Sequence, residues 1–309
     1  MQLDISNKSL PVFEALASNV RLSIIQILSK KSSNIRELAE AVGLSSAIMT
    51  MHIKKLEKAG IIRTEMVPGR AGIQKLCILN VDEIDIIFPV KQSQSLAFHQ
   101  TTLSVGHFTD FSIEPTCGLA TEKMIIGQFD DIRYFLDPER FNAKILWFGK
   151  GFIEYKAPNF LLSNETPKAL EISMELSSEA PLTNEHWPSD ISFIFNGIEL
   201  GTWTSPGDFG DSLGKYTPDW WPRVINQYGL LKCIRVTENG TFLDGIKLSG
   251  YSINDIDIEA KQWTFRIAIH DDAEHIGGVT LFGSGFGNYN QDILFRLFYE
   301  KDLEEVLPE

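Results

Sequence analysis

Between Gly201 and Gly229 the chain reads GTWTSPGDFGDSLGKYTPDWWPRVINQYG, setting six aromatic rings among Gly, Pro, Asp, Asn and Gln. Large rings are uncommon in loops, because leaving them in water forfeits roughly 25 cal/mol per Å2 of apolar surface. Rings beside side chains that both donate and accept hydrogen bonds match what a sugar presents, an apolar C–H face edged by hydroxyls. Trp203, Trp220 and Trp221 are the stacking candidates, Asp208, Asp211, Arg223 and Gln227 are suited to hydroxyls, and Tyr228 stands beside them. The competing reading makes these rings the core of a long ordered loop folded over a sheet.

The other reactive side chains form weaker patterns. His270, Asp271, Asp272, Glu274 and His275 are ligand types for zinc, manganese or nickel, but their spacing matches no established motif, so no metal is expected there. His99, His107 and Cys117 offer a thiolate–imidazole site or an oxidation sensor without geometric support. Asp208 and Asp211 as a catalytic pair would act on a glycoside, a mechanism that depends on a carboxylate separation which loop neighbours do not set. No Gly-x-Ser-x-Gly elbow, His-Glu-x-x-His pair or Walker loop occurs. The glycine-rich stretch from Gly283 to Gly287 lacks the strand and helix of a dinucleotide site. The expectation is a chain that is not an enzyme and has no cofactor.

A second chemistry lies near the start. Asn34 and Glu37 form a capping box ahead of Ile35, Leu38, Ala39 and Val42, which fall on one helical face, and Gly43 supplies the left-handed stop. Ser45 caps the next helix, which runs to Ala59, and the short glycine-containing turn between them is that of a helix-turn-helix. In this helix Met49, Ile53 and Leu56 face inward. Ser46, Ala47, Thr50 and Lys54 share the opposite face, where small and hydroxyl side chains allow close approach to base edges, while Lys54, Lys55 and Lys58 reach phosphates. Upstream, Ser9 can cap a short helix holding Pro11, and Asn19 precedes a helix with Ile24, Ile27 and Leu28 on one side. After Gly60, IIRTEMV and IQKLCIL form a hairpin whose tip, PGRAG, carries Arg70 toward a minor groove or a phosphate.

Charge divides the same way. The 309 residues carry a net charge of −13, yet the first 80 hold 11 basic and 6 acidic residues, a net of +5, against −18 for the rest. Phe13 is the one aromatic residue in those 80. Such asymmetry predicts two domains with different partners, the basic one suited to a polyanion. No apolar run is long enough to span a bilayer, and the first residues carry no secretory pattern. Cys77, Cys117 and Cys233 are an odd, scattered set that suits a reducing compartment. A cytoplasmic protein with no membrane partner is expected.

ALASNVRLSIIQIL followed by IRELAEAVGLSSAIMTMHIKKLEKAGII resembles the ArsR-type winged-helix repressor family. The resemblance covers about the first 80 residues. It implies homodimers on a pseudo-palindromic double-stranded DNA operator, released by an effector, with Ser45, Ser46, Thr50, His52 and Lys54 at the DNA and Arg70 on the wing. For His52 both phosphate contact and packing behind the helix stay open. Metal-sensing relatives carry a Cys-x-Cys pair near the recognition helix, and no cysteine precedes Cys77 here. The effector, a small molecule and on the loop chemistry a sugar, is therefore expected in the added C-terminal part. Response to metal or oxidation through Cys117 and the histidines is the alternative, and a carbohydrate-active enzyme fused to a DNA-binding domain a further one.

From about residue 110 the period becomes two. Leu170, Ile172, Met174 and Leu176 alternate with polar residues, and large apolar residues recur at every second position in Ile191, Phe193 and Phe195, then Trp263, Phe265, Ile267 and Ile269, then Ile293, Phe295 and Leu297. Asn196-Gly197 and Glu238-Asn239-Gly240 mark hairpins, and AKILWFGKGFIEYK is expected to be a pair of strands. The predicted fold is multidomain, α followed by all-β. Residues 1–80 form a winged helix-turn-helix, 81–112 a connector for which a linker, a dimer contact and the first strand of the sandwich all stay open, and 113–309 an antiparallel β-sandwich or jelly roll that binds the effector.

Overall fold

The computed structural model describes residues 1–69, 72–82, 84–87 and 96–301. The chain divides into two units, Met1–Ser95 and Leu96–Glu309.

In the first unit, β1 (Gln2–Asp4) precedes four helices: α1 (Leu10–Leu16), α2 (Asn19–Lys30), α3 (Ile35–Val42) and α4 (Ser46–Lys58), with β2 (Ser33–Asn34) between α2 and α3. The chain then forms β3 (Ile62–Gly69), β4 (Gly72–Leu79) and β5 (Asp85–Ile87). Strands β2, β4 and β3 make the wing sheet, and β5 pairs with β1 in parallel. Ile24, Leu28, Leu38, Met49, Ile53 and Leu56 are buried in one core with Cys77. The capping box is present: Glu37 N donates to Asn34 Oδ1 at 2.9 Å, and Asn34 N donates to Glu37 Oε2 at 2.9 Å. Asn34→Ala should therefore lower the stability of this unit by about 1 kcal/mol, read as an earlier loss of helical circular dichroism on heating. Ser9 differs from expectation. It stands at the head of α1 without a side-chain capping bond, because its hydroxyl donates to Asp4 Oδ1 at 2.9 Å and accepts from Asp4 N at 3.1 Å.

The second unit contains β6 (Ala97–Leu103), β7 (Asp110–Ala120), β8 (Ile145–Pro158), β9 (Glu165–Ser177), β10 (Ser189–Phe195) and β11 (Ile198–Ser205). It continues with β12 (Leu230–Thr237), β13 (Gly240–Leu243), β14 (Ile246–Ser249), β15 (Gln262–Ile269), β16 (Val279–Phe282) and β17 (Ile293–Lys301). One layer runs β11-β10-β15-β8-β7 and the other β6-β17-β9-β12-β13-β14, all antiparallel. β16 stitches them together by pairing with both β8 and β9. Inward residues of both layers meet in one core, where the rings of Phe265 and Phe295 touch edge-to-face at 5.8 Å. Every residue of the four alternating sets read from sequence is buried.

Two expectations change. The stretch read as a strand pair is a single strand, β8. Gly149 and Gly151 do not turn the chain but let β7 lie close across it: a Cβ would meet Pro115 O at 2.6 Å and Ser112 O at 2.0 Å. The register of β7 on β8 slips there, between Glu114 and Cys117. The stretch read as a connector over 81–112 also divides differently. Its later part supplies β6 and the start of β7, because Val105 and Phe108 in the intervening turn belong to the sandwich core.

Candidate nucleic-acid interface and candidate ligand cleft

On α4, Met49, Ile53 and Leu56 pack inward while Ser46, Ala47, Lys54, Lys55 and Lys58 are exposed. Ser45 Oγ caps the helix by accepting from Ile48 N at 3.3 Å, and Thr50 Oγ1 donates to Ser46 O at 2.7 Å, keeping a lone pair for an outside donor. The helix also exposes two apolar side chains that the sequence reading passed over, Ile48 and Met51, the latter 66% exposed. Groups of that kind contact thymine methyls in a major groove. His52 is only half exposed, with Nδ1 3.4 Å from Nη1 of buried Arg21. Arg21 is itself fixed by donating to Ala15 O at 2.6 Å and Glu14 O at 2.7 Å. Burial first, then the charges of Arg21 and Lys55, hold His52 below its ordinary pKa. Arg70 lies outside the described residues.

The eight residues proposed for the ligand do not converge. Trp221 is 2% exposed, packed edge-on against Trp147 and Phe286, with its indole N–H donating to Asn226 O at 2.9 Å. Gln227 is buried and donates to Pro222 O at 2.8 Å and Ile225 O at 2.7 Å, closing the loop on itself. Asp208 is 0% exposed and accepts from Ala180 N at 3.2 Å. For these three the loop-core reading holds: a loop this long must bury its own rings and satisfy its own backbone. Trp203 sits elsewhere, on β11 against the sandwich core, with Lys232 Nζ 4.6 Å from its ring centre. Asp211 accepts from Tyr228 Oη at 2.5 Å, and Tyr228 stacks on Phe209 at 5.4 Å. Asp211 and Arg223 are exposed, as is Trp220 at 38%, whose N–H donates to Glu122 O at 2.6 Å.

Glu122 belongs to a cleft of about 540 Å3 lined by Ser104, His107, Thr121, Glu122, Lys123, Glu139, Phe141, Asn142 and Lys144. Its walls come from the β6–β7 turn, the segment after β7 and the 3-10 helix Pro138–Asn142. Arg140 ties two of these together, donating to Gly106 O at 3.1 Å and Phe108 O at 2.7 Å. Gly106 is required there, since a Cβ would lie 1.7 Å from Arg140 O. Lys144 Nζ donates to Ser284 Oγ at 3.1 Å, anchoring the floor to the glycine-rich loop. The Phe141 ring is exposed and meets His107 edge-on at 5.6 Å. An exposed ring among hydroxyl, amide, carboxylate and ammonium groups is the chemistry expected of the 201–229 loop, built from residues that sequence spacing does not link.

The histidine and cysteine groupings also disperse. His270 lies 3.7 Å from Glu199, His275 3.3 Å from Asp190, and Asp271 pairs with Lys150 at 2.9 Å. His99 bonds Glu165 at 2.7 Å, and burial pushes the Cys117 thiol up to about 11. Among the described residues no group of three or more His, Cys, Asp or Glu side chains is arranged to hold a metal. No single described helix is long and apolar enough to cross a membrane.

Three carboxyls inside the second unit are raised. Burial carries Glu175 to about 7, against the pull of N–H donors from Asn288, Gly229 and Tyr289. Burial and then the Asp208 charge carry Glu179 to about 8, and burial carries Asp208 to about 7. The folded state therefore holds protons that the unfolded chain releases at its ordinary carboxylate values near 4, so this stability is full at low pH and is lost as pH rises through 7 to 8. Carboxyls shifted down, such as Asp190 and Glu165, have finished titrating below that window. The sandwich should melt several degrees lower at pH 8.5 than at pH 6, and Glu179→Gln should flatten that slope in a thermal-melt series.

Residues 18–64 match the family described as bacterial regulatory protein, arsR family. Over 54 residues the chain is 39% identical to an uncharacterized HTH-type transcriptional regulator of Methanocaldococcus jannaschii. That match covers 18% of this chain and 57% of the relative, so the chain spans little more than half the length of the curated relative it matches. Among solved structures, HlyU from Vibrio cholerae is similar at 21% identity and a TM-score of 0.22, over 24% of this chain and 77% of its own. The CBM36-1 domain of a multidomain xylanase from the hindgut metagenome of Trinervitermes trinervoides is similar at 7% identity and a TM-score of 0.28, over 64% and 96%. Residues 18–64 thus carry the helix-turn-helix of the arsR family of bacterial regulators.

Proposed function

We propose that the protein is a homodimeric DNA-binding transcriptional repressor whose C-terminal unit answers to a small polar ligand, a carbohydrate. The observation that carries the DNA reading is α4: capped by Ser45, anchored by Met49, Ile53 and Leu56, and presenting Ser46, Ala47, Thr50, Lys54 and Lys55 outward. Two such helices would read operator half-sites about 34–36 Å apart. The ligand reading rests on the 540 Å3 cleft with Phe141 exposed inside it and Trp220 at its border through Glu122. Release of DNA requires the sugar to bind the DNA-free state more tightly than the DNA-bound one.

Selection of duplexes from a random pool by the full chain should enrich a two-half-site sequence, bound about 1,000-fold or more above random DNA at physiological salt. A sugar panel should contain a member that releases it. Failure to enrich any duplex defeats the DNA reading. Enrichment without sugar release, together with no thermal shift by any sugar, defeats the ligand reading alone.

A further inference from the structure

The hairpin of β3 and β4 runs out past the core it springs from. In its register Thr64 lies opposite Cys77, Met66 opposite Lys75 and Pro68 opposite Ile73. Residues opposed in this way, and those two apart along a strand, share one face of the hairpin. At the root this face is core, with Cys77 buried. Toward the tip it opens to solvent, leaving Met66 68% exposed and Ile73 75% exposed, with Pro68 exposed between them. Large apolar side chains grouped at the surface of a folded unit mark a place where something else is contacted.

The same face leads directly to α4. Thr64 Oγ1 donates to Glu57 Oε1, and Lys75 Nζ donates to Glu57 Oε2 at 3.1 Å. Glu57 stands three residues after Lys54 and seven after Thr50, on the helical stripe that carries Ser46, Thr50 and Lys54. The stripe proposed for DNA and the apolar hairpin face are therefore one continuous surface, joined through a single carboxylate. Charge along it has the sign a polyanion needs, because from Met66 to Lys75 the sequence holds Arg70 and Lys75 and no acidic residue. Apolar side chains flanked by cations, on a surface continuous with a groove-reading helix, match one occupant: a base-pair step met from the minor groove, where Ile, Met and Pro serve as wedges.

We propose that Ile73 and Met66 enter the minor groove flanking the α4 contact and wedge into a base-pair step, kinking the operator. The inference rests on the DNA reading of α4 and adds a deformation of the duplex to it. Ile73, paired with Pro68 beside the tip, leads. Met66, diagonal to it across the hairpin, fills the opened stack with its unbranched, adaptable side chain. Pyrimidine–purine steps unstack most readily, so the hairpin selects a TA or CA step at a position that α4 does not touch.

Duplexes selected by the full chain, carrying a donor dye at one end and an acceptor at the other, test the wedge. Binding of the unaltered chain should raise energy transfer to the level of a kink of about 20° or more at each half-site. Met66→Ser with Ile73→Ser should leave the bound duplex nearly straight and weaken binding about tenfold. The salt slope should not change, because no phosphate contact is lost. Both side chains are exposed, so the double variant keeps its fold, and Ile73→Ser alone should already lose most of the bend. Selection repeated with the double variant should retain the half-sites and lose the TA or CA step. A straight duplex under the unaltered chain, or a bend and step preference unchanged in the variants, would overturn the wedge and leave the α4 reading standing. Variants that bend DNA as before but sediment at a lower mass would overturn it too, assigning the face to a second copy of the chain. Failure of the unaltered chain to enrich any duplex would defeat the α4 reading and the wedge together.

Discussion

Reversing the charge of Lys54 and Lys55 together, as Lys54→Glu with Lys55→Glu, should weaken binding of every duplex about 100-fold and lower its salt dependence by about one unit of slope per lost phosphate contact. Both ammonium groups are exposed on α4 and carry no ion pair among the described residues, so the change leaves the folded unit intact. Thr50→Val tests a different property. Losing one base-edge contact should cost about 1–3 kcal/mol at a single base pair and leave random duplexes unaffected. Anisotropy titrations across a salt series separate the two. Unchanged affinity in the double variant would remove α4 from the DNA altogether.

Trp221→Ala should cost the second unit about 3–5 kcal/mol, while Trp220→Ala should stay within about 1 kcal/mol. The neighbours share a ring contact of 5.5 Å but differ in burial, because Trp221 is wedged against Trp147 and Phe286 while Trp220 lies over the Glu122 backbone at the surface. Denaturant unfolding measures the pair. Equal, small losses would mean that the 201–229 loop is not held to the sandwich by Trp221. A loss of sugar response confined to Trp220→Ala would tie that ring to the cleft.

The fold was legible where one element decides its own residues. Asn34 and Glu37 are three apart because one turn of helix brings them together, so their capping bonds could be read directly. Alternation of Leu170 through Leu176, and of Trp263 through Ile269, follows from a strand with one face in the core. The sites were less legible because the sheet assembles them from distant positions. Ser104, Glu122 and Phe141 share a cleft because Ser104 Oγ donates to Ala143 O and Arg140 donates to Gly106 O and Phe108 O, folding the 3-10 helix back on the β6–β7 turn, and no spacing records it. Aromatic density in the 201–229 loop was visible, but density alone does not say which ring faces water. Trp221 and Trp220 are consecutive, and the answer differs between them. His52 was ambiguous for a similar reason: its partner Arg21 lies on a different helix.

All six tryptophans and all seven tyrosines follow residue 95, so Met1–Ser95 contains neither. Indole emission is consequently blind to the helical unit and reports on the sandwich alone, while far-ultraviolet ellipticity is dominated by α1 to α4. Recorded on one sample, the two signals would give separate unfolding curves for the two halves of an unlabelled, uncut chain.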